Sequence, residues 1–79
     1  MEKATIFLGS LERAVHFVNA AGRTQVKMYL LTDDKCINAK SILGVFSMDL
    51  HERMTLEMVG DEENLEKAKE AVSEYIAIA

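Results

Sequence analysis

A chain of 79 residues with 49% hydrophobic content can build one domain with one core, and it leaves no room for a second. The net charge of −4, with nine Lys and Arg scattered along the sequence, argues against a nucleic-acid partner, because such binding rests on counterion release by clustered cations. The single cysteine, Cys36, rules out an internal disulfide framework, and no apolar run approaches the roughly 18 residues that span a bilayer, so a cytoplasmic protein without a membrane partner is expected.

Lys3 to Leu8 alternates, with Ala4, Ile6 and Leu8 on one side, and is predicted as a strand that Gly9-Ser10 breaks. Ser10 is placed to cap a helix from Leu11 to about Ala21, with Leu11, Ala14, Val15 and Val18 as its apolar stripe and Gly22 as its C′ residue. Thr24 to Leu30 alternates again, Asp33-Asp34 marks a turn, and Lys35 to Ala39 forms a short return strand. A short helix follows Ser41, from Ile42 to about Ser47, and Asp49 to Arg53 is a loop. Met54 to Val59 is a strand with Met54, Leu56 and Met58 inward. Asp61 caps a last helix with a stripe of Leu65, Ala68, Val72, Ile76 and Ala79 and with Glu62 and Glu63 in its favoured first turn. The order βαββαβα implies an α+β fold, an antiparallel four-stranded sheet with three helices on one face.

The stretch Ile37-Asn38-Ala39-Lys40-Ser41-Ile42-Leu43-Gly44-Val45-Phe46-Ser47-Met48 resembles the regulatory-serine region of HPr, the phosphocarrier of the phosphoenolpyruvate:sugar phosphotransferase system. Met54 to Glu63 resembles that family's last strand and helix start, and the element order fits over residues 1–79. The family's other signature, Gly-Leu/Ile-His-Ala/Thr-Arg-Pro, is missing. Counted back from Ser41 without gaps, it falls on Leu8-Gly9-Ser10-Leu11-Glu12-Arg13, so Ser10 stands at the histidine position, Glu12 at the arginine and Arg13 at the proline. The site is reached early in the chain, which implies a shortened loop after the first strand.

That difference carries chemical weight. A histidine nitrogen is a good nucleophile near neutral pH and its phosphoramidate transfers readily, whereas a serine phosphate is inert. A carboxylate at the arginine position replaces attraction for phosphate by repulsion, about 3 kcal/mol per charge pair at about 5 Å with an effective dielectric near 20, before solvent screening. No catalytic residue is therefore expected, and the chain is not read as an enzyme. His16 is expected to point into solvent and is the candidate replacement phosphoacceptor. His51 is expected to be a solvated loop residue, and Cys36 a small strand residue. Neither a cofactor nor a metal is implied.

From spacing alone Ser41 is a helix cap. The resemblance adds a second role, a site for HPr kinase/phosphorylase, where phosphate would bring about −1.5 to −2 charges. Ile42, Leu43, Phe46 and Met48 beside it form a candidate docking surface for a transcriptional regulator or another phosphotransferase protein. The pattern is nearest to Crh, the family's histidine-less regulatory paralogue. Helix positions where the family uses basic residues to dock on catabolite control protein A hold Glu12, Asn19 and Gly22, which weakens the direct analogy. Three readings follow: a regulatory module switched at Ser41, a phosphocarrier using an unusual residue such as His16, or an oligomerising remnant. The short first loop would favour a domain-swapped dimer over a monomer in the last case.

Overall fold

A computed structural model describes residues 1–77. Four strands, β1 (Glu2–Ile6), β2 (Lys27–Leu31), β3 (Cys36–Asn38) and β4 (Met54–Val59), form one sheet in the order β1-β4-β2-β3, with every neighbouring pair antiparallel. The helices are α1 (Leu11–Gly22), α2 (Ile42–Phe46) and α3 (Glu62–Ala71), and a single 3₁₀ turn, Ser73–Tyr75, follows α3. The expected α+β architecture is present.

Strand alternation sets the layers. Ile6, Met28, Leu30, Leu56 and Met58 are buried under the helices, while Lys3, Thr5 and Lys27 on the other face stay in solvent. Phe17, Val45, Leu65, Ala68 and Val72 close the core from the helical side. Strand and helix bounds differ from the sequence reading by one to three residues at most, apart from the end of α3.

The stripe of α1 is a correction. Leu11 and Val15 are exposed, and the buried residues are Ala14, Phe17, Ala20 and Ala21, with Val18 only partly covered. The helix has apolar residues on more than one face, so two stripes satisfied the 3.6-residue period. The bulk of Phe17, fully buried and edge-on to Tyr75 with ring centroids 5.4 Å apart, decides which one faces the sheet. Gly22 is also not a left-handed cap. It is the last helical residue, and the end is closed by Arg23 N–H donating to Ala20 O and by the Thr24 amide and hydroxyl donating to Ala21 O.

The stripe of the last helix breaks at Val72. Ile76 leaves the helix to bridge Ile6, and Ala79 lies outside the described residues. Phe7 N–H donates to Tyr75 O at 2.9 Å and Ala77 N–H to Thr5 O at 2.8 Å. The C-terminal segment thus covers the free edge of β1, which would otherwise present unpaired backbone groups. Satisfying that edge and burying Tyr75 outweighs one more helical turn.

Candidate functional site

Two helix starts hold the residues singled out by the sequence. At the first, Gly9 turns the chain with φ of +84°, a left-handed conformation suited to glycine. A Cβ there would also meet the Phe7 ring at 2.7 Å. Gly9 N–H donates to Leu50 O at 2.7 Å, which ties this turn to the α2–β4 loop. Ser10, in extended backbone, caps α1: its Oγ accepts from Arg13 N–H at 3.1 Å and its carbonyl from Ala14 N–H at 3.0 Å. The hydroxyl at this position is already used in holding the helix.

The Glu12 side chain is 87% exposed, so its repulsion toward an anion is closer to the water limit, below about 1 kcal/mol at about 5 Å, than to the larger figure taken from sequence. His16 lies one turn further along, 65% exposed, with Nε2 4.0 Å from Glu12 Oε1. It is a solvent-facing side chain beside a carboxylate. The structure does not bring it to the mouth of the helix.

Arg13 is the residue that sequence reasoning missed. Its Nε donates to Leu8 O at 2.6 Å, and Nη2 reaches Phe7 O at 3.3 Å and Glu74 O at 3.4 Å. The guanidinium also lies over the Tyr75 ring, 5.0 Å from the centroid. One side chain therefore fastens the β1–α1 loop to the C-terminal segment. Burial pushes the Tyr75 phenol up, helped by the Glu74 carboxylate and opposed by Arg13 and Arg23. The available signal was an arginine where the family has proline, read only as a loss.

At the second helix start, Ser41 is half-buried, and its Oγ accepts from Gly44 N–H at 3.2 Å. Its own N–H donates to Asn38 O, and Asn38 Oδ1 accepts from Lys40 N–H at 2.9 Å, so an Asx turn presents the serine. A Cβ on Gly44 would sit 3.3 Å from Ser41 Oγ, so glycine keeps this cap uncrowded. The first turn of α2 has no acidic residue. With only five residues the helix has little macrodipole, and local N–H groups matter more.

The candidate docking surface divides. Leu43 is 79% exposed, Phe46 is 41% exposed and Ile42 is half-buried. Met48 is corrected: at 6% exposure it belongs to the core, because the chain turns inward after α2, where Met48 N–H donates to Val45 O. The neighbouring α1 adds exposed Leu11 and Val15, the pair wrongly assigned to its buried stripe. His51 is 79% exposed in the α2–β4 loop, its N–H donating to Asp49 Oδ1, and Cys36 is an exposed free thiol on edge strand β3. Among the described residues no cluster of His, Cys, Asp or Glu could hold a metal, and no helix is long and apolar enough to cross a membrane.

The family model described as the PTS HPr component phosphorylation site matches residues 11–77, from the residue after Ser10 to the end of the described chain. The chain belongs to the HPr family. Solved structures agree. HPr-C-His from Thermoanaerobacter tengcongensis is 29% identical with a TM-score of 0.79 over 96% of this chain and 91% of that one. The phosphocarrier protein HPr from Bacillus anthracis str. Ames is 27% identical with a TM-score of 0.76, over 96% and 94%. Crh of Bacillus subtilis, a catabolite repression protein solved as a dimer with a swapped domain, is 32% identical with a TM-score of 0.64, over 95% and 88%. No curated protein sequence matches the chain. HPr-family proteins are phosphocarriers and partners of phosphotransferase-system proteins rather than enzymes in themselves.

Proposed function

We propose that this HPr-family chain lacks the phosphoacceptor histidine and works as a regulatory, protein-binding module switched by phosphorylation of Ser41. The observation that carries the reading is the mouth of α1, where Ser10 spends its hydroxyl as a cap, Glu12 stands beside it, and His16 lies a turn away facing solvent. A phosphoryl group relayed here would need a nucleophile with a labile adduct, and a capping hydroxyl is not one.

Ser41 supports the switch. It is half-exposed on an Asx turn, it has no acidic neighbour in its own helix turn, and Leu43 and Phe46 project into solvent next to it. A phosphate of about −1.5 to −2 charges beside an apolar surface changes which partner that surface accepts. The partner classes are HPr kinase/phosphorylase as the modifying enzyme, and a transcriptional regulator or another phosphotransferase protein as the reader.

Incubation with ATP and HPr kinase/phosphorylase, read by intact mass, should add one phosphate to the native chain and none to Ser41→Ala. Leu43→Ser should slow the reaction while leaving the melting curve in place. Absence of phosphate on Ser41 refutes the switch. Acid-labile, alkali-stable phosphate acquired from phosphoenolpyruvate and enzyme I would instead establish a carrier and overturn the reading.

A further inference from the structure

A cleft of about 380 Å3 lies beside the β1–α1 loop, walled by Phe7 and Tyr75 and rimmed by Arg13, His51, Arg53 and Glu74. We propose that it binds a small phosphorylated molecule, with Arg13, Arg53 and His51 holding the phosphate dianion. The site is separate from Ser41 and does not depend on that residue being a switch.

Charge supplies the first argument. In a chain of net charge −4, the described residues that line the cleft bring two guanidinium groups and an imidazole against one carboxylate, Glu74, with Asp49 behind His51 outside the lining. Neither Arg13 nor Arg53 lies within ion-pair distance of a carboxylate among the described residues. A planar guanidinium presents paired N–H donors that match phosphate oxygens, and two of them around one dianion leave it well satisfied.

Preorganisation supplies the second. Arg13 is held by backbone carbonyls through Nε and Nη2 and by the face of Tyr75, which leaves Nη1 among its donors without an acceptor among the described residues. A cation fixed before the ligand arrives loses little freedom on binding. His51 has Nδ1 turned toward Asp49, 4.0 Å away, so Nε2 is the nitrogen left for a ligand. The cleft falls within the roughly 300–1,000 Å3 of small-molecule sites, and the exposed Phe7 ring offers an apolar wall to whatever carries the phosphate.

Amide-resolved NMR titration with inorganic phosphate and with a hexose 6-phosphate, against chloride at matched ionic strength, tests the assignment. Saturable shifts are expected at Phe7, His51, Arg53 and Tyr75, tighter with the sugar phosphate. Arg53→Gln and His51→Gln, both on an exposed loop that tolerates exchange, should each weaken binding at least about threefold, and together about tenfold. Ser41→Ala should bind like the native chain, which separates this result from the kinase assay. Shifts that fail to saturate, that chloride reproduces, that favour inorganic phosphate over the sugar phosphate, or that persist undiminished in the double variant would overturn the proposal.

Discussion

Replacing Arg13 by alanine tests whether one side chain fastens the C-terminal segment to the rest of the domain. The part-buried bond from Nε to Leu8 O, at 2.6 Å, is charge-assisted and contributes about 1.5 kcal/mol, the low end for such bonds. The two Nη2 contacts at 3.3 and 3.4 Å are long and exposed, and add only about a few tenths of a kcal/mol together. Stacking on Tyr75 adds about 0.5–1 kcal/mol. The expected loss is therefore about 2–3 kcal/mol, which lowers Tm by about 10–20 °C for a domain of this size. Urea denaturation followed by circular dichroism measures the loss. Hydrogen exchange should locate it at the Phe7 and Ala77 amides, whose acceptors are Tyr75 O and Thr5 O. Arg13→Lys keeps a cation near the ring but not the fork, and should recover less than half. A loss below about 0.5 kcal/mol, or unchanged exchange at both amides, refutes the clamp.

Further consequences can be measured on the same footing. Gly60→Ala places a Cβ 2.6 Å from Val26 Cγ1 and 3.2 Å from Val26 Cβ, and should cost about 1–3 kcal/mol in the urea midpoint. In a Val26→Ala background most of that increment should vanish, and an undiminished increment would point to backbone strain instead. Both resolved pKa shifts are upward: Lys69 from 10.5 through its hydrogen bond to Glu66 and the charge of Glu2, and Tyr75 from 10.0 chiefly through burial. Each group holds its proton more tightly folded than unfolded, so its contribution is complete below the ordinary value and is lost as pH rises through the folded one. Denaturation midpoints should fall from about pH 9 to about pH 11, and a flat or rising profile would contradict the shifts.

Local signals were legible wherever one residue decides the outcome. Ser10, Ser41 and Asp61 cap the three helices as the sequence indicates, and the alternation of Met54 to Val59 maps onto β4 without error. The misplaced residues share a cause: local pattern allowed two answers. Leu11 with Val15 and Ala14 with Phe17 are both valid helical stripes, and only the sheet beneath selects between them. Met48 stands between Ser47 and Asp49 just after a short helix, where spacing cannot tell a docking residue from core. Ile76 continues the helical period of α3, yet the unpaired edge of β1 claims it. At the candidate site, the residue types Ser10, Glu12 and Arg13 are plain from the sequence, and the proposed loss of the phosphoacceptor rests on them. The role of Arg13 depends on Glu74 and Tyr75, 61 and 62 positions away, and was invisible.

By itself the sequence determined the element order, the three helix caps and the residue types, Ser10, Glu12 and Ser41, on which the proposed function rests. Those are matters of residue identity and of short-range periodicity, which act over a few positions. Only the tertiary structure decided which face of α1 is buried, that Met48 is core, how Tyr75 to Ala77 cover the edge of β1, and that Arg13, His51 and Arg53 share a cleft. Such choices are made by packing and backbone satisfaction between segments far apart in the chain, and they appear only when the sheet brings those segments together.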